Sequence, residues 1–224
     1  MALVFGNTKD LGGSVKAMCY APAGFGKTVL CGTAPSPLII SAENGLLSLK
    51  AMSIPFIEVR TMADFRDAFR FASESEHAAN FDTFCIDSAS DIAESALRDM
   101  KKTEKDPRKA YGQLNDDMME ELVKWKHLKK SVYITCKQGS MTDGTTGVTQ
   151  YAPSMPGKAL PQEMPYWGDE LFALRIIATE EGVPVRWIQT QPDVSYFAKD
   201  RSGCLDPYEP PNLTDIFNKI LGAR

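Results

Sequence analysis

The sequence has few of the residues on which several common kinds of protein depend. Its 224 residues include only two histidines, His77 and His127, which leaves little for histidine-based catalysis. The five cysteines are widely separated and form no C-x-x-C pair, which argues against a disulfide framework and against a zinc site. No apolar run reaches the roughly 18 residues of a membrane span, and residues 1–14 contain no apolar signal core. We therefore expect a cytoplasmic protein with reduced cysteines.

An excess of positive charge is missing as well. Lysine and arginine total 25, and aspartate and glutamate total 29, so the formal net charge is −4 at pH 7. Proteins that clamp duplex DNA usually carry an excess of lysine and arginine, so this balance argues against tight duplex binding without nucleotide. Hydrophobic residues make up 43 % of the chain, which is too many for a disordered chain and enough for the core of one domain spanning residues 1–224.

Strand-like and helix-like patterns alternate along most of the chain. This alternation predicts an α/β fold with a mostly parallel sheet that is covered by helices on both faces. Residues 170–178 and 183–190 are predicted to form a C-terminal antiparallel hairpin. The strand predictions are residues 16–20, 38–41, 56–59, 83–86 and 132–135, and the helix predictions are residues 27–33, 63–74, about 111–130 and 213–221.

The composition changes between residues 137 and 160, which are rich in Ser, Thr, Gly, Pro and Met. Residues 142–147 carry the pattern of a hairpin or a mobile loop. Trp125 and Trp187 fit core patterns, whereas Trp167 lies in a loop-like stretch and is predicted to be an exposed or interface aromatic.

A phosphate-binding motif follows the first predicted strand. Residues 21–28 are A-P-A-G-F-G-K-T, which matches the P-loop pattern G-x-x-x-x-G-K-[ST] except that Ala21 replaces the first glycine. Gly24 and Gly26 allow main-chain N–H groups to face a phosphate. Lys27 would bridge the β- and γ-phosphates of ATP, and the Thr28 hydroxyl would bind Mg²⁺. The predicted nucleotide contacts are Pro22, Ala23, Gly24, Phe25, Gly26, Lys27, Thr28 and Val29.

Two acidic residues end other predicted strands. Asp87 follows one buried run and would help to hold Mg²⁺, although it could also cap the next helix, a role equally open to Ser88 or Ser90. Glu43 follows another run and would activate the water that attacks the γ-phosphate, unless it is a solvated loop residue. Because ligands bind at the carboxyl ends of parallel strands, we expect both residues to lie near Lys27.

These motifs, in this order, resemble the RecA-like core of the P-loop ATPases. In that family the acidic residues that correspond to Glu43 and Asp87 are the catalytic carboxylate and the metal-side aspartate. The P-G-K-A-L segment at residues 156–160 and the A-K-D-R segment at residues 198–201 are similar to segments of phage-encoded RecA-like ATPases. Some of those proteins are assigned to single-strand DNA annealing and recombination. The resemblance implies ATP and Mg²⁺ as cofactors and a homo-oligomer, either a ring or a filament.

Two further roles follow from the resemblance. RecA-like proteins place a polar sensor of the γ-phosphate after the fourth core strand, where Lys137 or Gln138 would take that role. Lys199 and Arg201 look like the K-x-R-x-G element of hexameric DnaB-type helicases, in which both cations reach the γ-phosphate of a neighbouring subunit. For Lys199 and Arg201, the alternative of an ordinary charged hairpin turn stays open.

The resemblance therefore implies a Mg²⁺-dependent ATPase that binds single-stranded DNA as an oligomer and promotes annealing or recombination, in the host cytoplasm if it is phage-encoded. Residues 137–160 would face the DNA, although they offer few charges, and the basic segment at residues 98–109 could equally be a solvated helix end. Alternatives are a helicase loader or motor accessory acting on a protein partner, a nucleotide-dependent assembly protein with little turnover, and a small-molecule kinase, which the Ser-Ala-Glu strand disfavours.

Overall fold

The structure, a computed structural model, describes residues 13–43 and 45–222, and the strands in these residues join in one sheet. The described strands are β1 (Lys16–Ala21), β2 (Pro37–Ser41), β3 (Phe56–Glu58), β4 (Thr83–Asp87), β5 (Ser131–Thr142), β6 (Thr149–Ser154), β7 (Glu170–Ala178), β8 (Pro184–Gln189), β9 (Lys199–Asp200) and β10 (Tyr208–Glu209). The described α-helices are α1 (Lys27–Cys31), α2 (Met62–Glu74), α3 (Ala89–Thr103), α4 (Pro107–His127), α5 (Ala159–Trp167) and α6 (Leu213–Gly222).

The strand order brings several strand ends together. The order is β10-β8-β7-β1-β5-β4-β2-β3, with β6 paired to β5 and β9 paired to β7. Strands β1 to β5 and β7 pair in parallel, whereas β6, β8, β9 and β10 pair antiparallel. The carboxyl edge of the sheet is the side on which β1, β2 and β4 end at Ala21, Ser41 and Asp87. The amino edge is the side on which β1 and β7 begin, at Lys16 and Glu170.

Helical layers bury both faces of the sheet. Helices α2, α3, α4 and α5 cover one face, where Trp125 of α4 packs against Phe65, Phe69 and Phe84 with ring centroids 5.3 to 5.9 Å apart. Helices α1 and α6 cover the other face, and Phe217 of α6 is buried there. Because burial of such large apolar groups is strongly favourable, the two layers fix the strand ends that carry the polar residues.

Most of the predicted elements are confirmed. The α/β class, the mostly parallel sheet, the helices on both faces and the C-terminal antiparallel hairpin, formed by β7 and β8, are all present. The helix predicted from about residue 111 begins earlier, at Pro107. It does so because the Asp106 side chain accepts a hydrogen bond from the main-chain N–H of Arg108, and because proline suits the first helical turn.

The prediction of an exposed or interface role for Trp167 is wrong. Its side chain is 3 % exposed, and its indole N–H donates to the main-chain oxygen of Leu122 at 2.6 Å. The cause is helix α5, which packs against α4 and so covers the ring. Within residues 137–160, strands β5 and β6 form an antiparallel hairpin from Lys137 opposite Ser154 to Thr142 opposite Thr149, and the prediction that this region is mobile stays a prediction.

Residues 1–12, 44 and 223–224 lie outside the described part of the chain. The prediction about a signal segment at residues 1–14 falls mostly on those residues, and the assignment of residues 1–224 to one domain stays a prediction. Among the helices that the structure describes, none combines the length and the apolar character that crossing a membrane requires.

Candidate functional site

The loop between β1 and α1 has the backbone geometry of a phosphate cradle. Gly24 and Gly26 have φ angles of 78° and 104°, left-handed values that residues with side chains rarely adopt. The N-cap residue of α1 is Gly26, which has no side chain, whereas the side chains of Thr61, Ser88 and Asp106 cap α2, α3 and α4. The first N–H groups of α1 therefore have no side-chain cap to compete with a ligand, and helix starts of this kind bind phosphate.

Lys27 begins α1 directly after this loop and lines a cavity of about 750 Å³. Its Nζ donates to the main-chain oxygens of Ala21 and Pro22, at 2.9 and 3.1 Å. A phosphate oxygen carries negative charge and is a stronger acceptor for an ammonium group than a carbonyl oxygen is. A phosphate that enters the cavity can therefore replace the two carbonyls as the partner of Lys27.

Thr28 and Asp87 form a second part of the cavity. The Thr28 hydroxyl donates to Asp87 Oδ2 at 2.7 Å, and the hydroxyl of Thr135 donates to the other carboxylate oxygen. Asp87 is 2 % exposed at the end of β4. The capping role that the sequence left open for Asp87 belongs to Ser88, whose side chain accepts the main-chain N–H of Asp91. Asp87 is therefore available for another ligand.

The neighbouring oxygens of Thr28 and Asp87 fit Mg²⁺, which prefers hard oxygen ligands and is commonly held by one or two protein groups plus substrate phosphates. Within residues 13–43 and 45–222, no three His, Cys, Asp or Glu side chains are grouped as a metal cage. Phosphate oxygens of a nucleotide and water would complete the coordination of Mg²⁺ at this pair.

Glu43 follows β2 and lines the same cavity as Lys27 and Asp87. A hydrogen bond with Asp91, partial burial and repulsion from Asp91 and Asp87 raise the pKa of the Glu43 carboxyl to about 7. Burial favours a higher pKa for Asp91, but hydrogen bonds with Glu43 and Lys137 outweigh burial, so the pKa of Asp91 is lowered. A carboxyl whose pKa lies near neutrality suits a general base.

Both candidates for the sensor, Lys137 and Gln138, line the cavity. Lys137 Nζ lies 2.7 Å from Asp91 Oδ1 and 2.8 Å from Glu94 Oε2. Because two carboxylates already hold the charge of Lys137, Gln138 is the better candidate for contact with a γ-phosphate.

Lys199 and Arg201 lie away from this cavity, beside the start of β7 and toward the amino edge. Lys199 Nζ donates to the main-chain oxygens of Pro165 and Gly168, at 2.8 and 2.7 Å. Arg201 Nη1 lies 3.2 Å from Asp169 Oδ1. The contact predicted for them with a γ-phosphate would have to be made across a subunit interface.

Arg186 is a cation of the cavity that the sequence reasoning misses. It lies on β8, lines the cavity, and its Nε donates to the main-chain oxygen of Phe25 at 2.8 Å. No motif marks this residue. Its signal is the position of the β7–β8 hairpin beside β1, which becomes visible only when the strand order is known.

A cradle of this kind between a buried strand and a helix, with a lysine, a threonine and a strand-end aspartate around one cavity, defines the P-loop class of proteins. A family model described as "AAA domain" matches residues 14–202. The chain therefore belongs to this AAA domain family of P-loop ATPases.

No curated protein matches the sequence. Among solved structures, the chain is similar to a KaiC-like protein from the hyperthermophilic archaeon Pyrococcus horikoshii. The two are 13 % identical, with a TM-score of 0.42, over 78 % of this chain and 76 % of the other. We infer nothing about function from similarity at this level.

Proposed function

We propose that the protein binds ATP together with Mg²⁺ and hydrolyses it. The observation that carries this proposal is the convergence of side chains from separate strand ends on one cavity. Lys27 and Thr28 follow β1, Glu43 follows β2, Asp87 ends β4 and Gln138 lies on β5. Phosphate, metal and water each have a suitable partner in this set.

Each of these side chains has a distinct task in the proposed reaction. Lys27 binds the β- and γ-phosphates, and Thr28 and Asp87 hold Mg²⁺, which neutralises phosphate charge when it is bound. Glu43, once ionised, accepts a proton from the attacking water, and Gln138 contacts the γ-phosphate. Hydrolysis therefore requires the deprotonated form of Glu43.

Steady-state ATP hydrolysis by the Glu43→Gln variant tests this assignment. We expect kcat to fall by about 10²- to 10⁴-fold, because the amide cannot accept the proton, while the Kd for a non-hydrolysable ATP analogue stays unchanged. Glu58→Gln is the matched control, since Glu58 ends the neighbouring strand β3 but does not line the nucleotide cavity. Equal turnover in wild type and Glu43→Gln would contradict the role of Glu43.

We further propose single-stranded DNA as the partner of the ATP-bound oligomer, in annealing or recombination. A second cavity, of about 840 Å³, is lined by Arg108, Tyr111, Lys158 and the start of α5. The Arg108 and Lys158 side chains and the Tyr111 ring are exposed. Cations beside an aromatic ring suit a single strand, because the cations meet phosphates and the ring stacks on bases.

The β5–β6 hairpin offers a connection between the two cavities. The Ser90 hydroxyl accepts the main-chain N–H of Lys137 at 2.9 Å and donates to the main-chain oxygen of Ser154 at 2.6 Å. Ser154 also lies two residues before Pro156, which lines the second cavity. A shift at Lys137 or Gln138 on nucleotide binding would therefore be passed to the proposed DNA surface.

Fluorescence anisotropy with a labelled single-stranded oligonucleotide tests the DNA proposal, with and without an ATP analogue. We expect binding to require the analogue, and Lys158→Ala and Arg108→Ala each to weaken it and to reduce its salt dependence by about one ion. Lys129→Ala is the matched control, because Lys129 is exposed on another part of the surface. Binding that does not change in either variant would contradict the proposed surface.

The homo-oligomer in this proposal gives Arg201 a role at a neighbour's nucleotide, whereas Lys199 is held by the carbonyls of Pro165 and Gly168. Arg201 is the freer of the two, since its side chain is 57 % exposed. Mixing Arg201→Ala with Glu43→Gln subunits tests this role. We expect mixed oligomers to regain turnover, because some sites then pair an intact Glu43 with a neighbour's intact Arg201. No recovery, in variants that assemble normally, would contradict it.

A protein partner is the second candidate, and one observation favours it. Leu47 and Phe56 are 81 % and 56 % exposed, and both line an apolar cavity of about 470 Å³ that includes Glu43. A helicase loader or motor accessory would use such a surface next to its nucleotide. ATP hydrolysis that single-stranded DNA does not stimulate would favour this candidate. Nucleotide-dependent oligomers with no measurable turnover would instead favour an assembly protein.

A further inference from the structure

The β7–β8 hairpin reaches beyond the carboxyl edge of the sheet, on which the P-loop lies. Ala173 pairs with Tyr20, one residue before β1 ends, and β7 then continues to Ala178. Arg186 lies opposite Ile176, three residues past Ala173. At about 3.3 Å per residue, this places Arg186 roughly 10 Å beyond the level of Tyr20 and beside the phosphate cradle.

Arg186 contacts the apex of the P-loop. Its Nε donates to the main-chain oxygen of Phe25, and a Cβ atom placed on Gly26 would lie 3.4 Å from the same Nε. The hydrogen bond fixes the position of the guanidinium group against the part of the loop whose N–H groups cradle the α- and β-phosphates in P-loop proteins.

The remaining donors of Arg186 are uncommitted within the described residues. No carboxylate among residues 13–43 and 45–222 lies within ion-pairing distance of Arg186, and its terminal nitrogens form no hydrogen bond there. Arg175, on the partner strand, is instead held by Asp193 and Gln189 and lies over the Tyr196 ring. A guanidinium carries five N–H donors, so four of those on Arg186, which lines the nucleotide cavity, remain for a ligand.

We propose that Arg186 is a phosphate ligand supplied by the same chain, and that its terminal nitrogens bind the α- and β-phosphates of a nucleoside di- or triphosphate in the P-loop. The planar guanidinium matches two phosphate oxygens at once, which a lysine cannot do. The β7–β8 hairpin is then one wall of the nucleotide site, in addition to its place in the sheet. This inference rests on the proposed nucleotide binding.

Kd values for a fluorescent ADP and a non-hydrolysable ATP analogue test the role of Arg186. We expect Arg186→Met to weaken both nucleotides to the same extent, by about ten- to a hundredfold, because a charge-assisted contact to the α- and β-phosphates is lost. Arg186→Lys should recover part of the affinity, since it keeps the charge. The control is Arg70→Met, which removes an exposed arginine of α2 that does not line the nucleotide cavity.

Two results would overturn the inference. One is wild-type affinity of Arg186→Met for both nucleotides. The other is an equal loss of affinity in Arg186→Met and Arg186→Lys together with a lower melting temperature without nucleotide, which would make Arg186 a brace of the loop. Lys27→Ala separates this inference from the proposed function. If Lys27→Ala loses nucleotide and Arg186→Met does not, only the role of Arg186 fails; if Lys27→Ala binds normally, nucleotide binding at this loop fails.

Discussion

Two lysines at opposite sides of the sheet have nearly the same hydrogen bonds and different surroundings. Lys27 and Lys199 each donate to two main-chain oxygens, at distances between 2.7 and 3.1 Å. Lys27 directly follows a loop with two left-handed glycines and lines a cavity of about 750 Å³. Lys199 begins β9 and its side chain reaches the end of α5, where burial and the nearby Arg201 lower its pKa.

The difference teaches that a lysine's bonds to carbonyls do not identify its role. At the carboxyl edge the carbonyls belong to the end of β1 and the start of the P-loop, where a phosphate can replace them as partners of Lys27, and Glu43, Asp87 and Arg186 line the same cavity. Near the amino edge the carbonyls of Pro165 and Gly168 lie at the C-terminal end of α5. By donating to them, Lys199 connects β9 to α5. The first lysine is therefore expected to serve a ligand and the second to serve stability.

Lys27→Ala should have the largest effect on nucleotide binding. We expect the Kd for an ATP analogue to rise by more than about a hundredfold, because the main cationic contact to the phosphates is lost. The free energy of unfolding without nucleotide should change little, because Ala21 and Pro22, whose carbonyls accept from Lys27, line a cavity that water can enter. Isothermal titration calorimetry measures the first quantity and urea unfolding the second. If Lys27→Ala lowers the free energy of unfolding but binds the ATP analogue normally, Lys27 serves stability rather than a ligand.

Lys199→Met should show the opposite pattern. We expect the free energy of unfolding to fall by about 1–2 kcal/mol, because two partly buried carbonyls lose their donor, with no change in nucleotide affinity. Thermal unfolding should show a decrease of a few degrees. Arg201→Met is the control, since its pairing with Asp169 is exposed and contributes little. An unchanged free energy of unfolding in Lys199→Met would mean that the hydrogen bonds from Lys199 to the end of α5 do not stabilise the fold.

Asp91→Asn tests the electrostatics of the carboxyl edge. The wild-type Glu43 pKa of about 7 means that kcat/KM should rise with pH through about 7, as the base ionises. The substitution removes a like charge, and the new amide could donate to Glu43, which lowers the Glu43 pKa, so the rise should move to lower pH by at least about one unit. The ratio of kcat/KM at pH 6 to that at pH 8 should increase several-fold. Identical pH profiles would show that Asp91 does not control Glu43.

The carboxyl edge could be predicted from sequence in part. Lys27 and Thr28 belong to a contiguous motif, and Asp87 and Glu43 follow apolar runs, so parallel-sheet geometry alone brings them together. Asp91 and Arg186 depend on pairing across distant parts of the chain, and no local pattern contains that information.

Trp167 shows the opposite failure. Helix α5 is short and contains Pro165, so its sequence resembles a loop. The burial of Trp167 depends on α4, whose Leu122 carbonyl accepts the indole N–H. Tertiary packing, rather than local composition, therefore determines that Trp167 is buried. The same holds for the contacts of Lys199, whose hydrogen-bond partners lie more than thirty residues away in the chain.

Glu170→Gln should give the smallest effect, and it tests the amino edge alone. Burial and the nearby Asp200 raise the pKa of Glu170 from 4.5 to about 8. Between these values the folded protein binds more protons than the unfolded chain, so stability is lost as pH rises from about 4.5 through about 8. Glutamine cannot ionise and can still accept the main-chain N–H of Ser202, so the variant should melt about 2–4 °C higher than wild type at pH 9 and nearly the same at pH 4. Glu181→Gln, exposed in the β7–β8 turn, controls for the loss of a charge. If Glu170→Gln and wild type melt at the same temperature at pH 9, ionisation of the Glu170 carboxyl does not lower the stability of the fold. The amino edge would then be more open to solvent than its packing indicates.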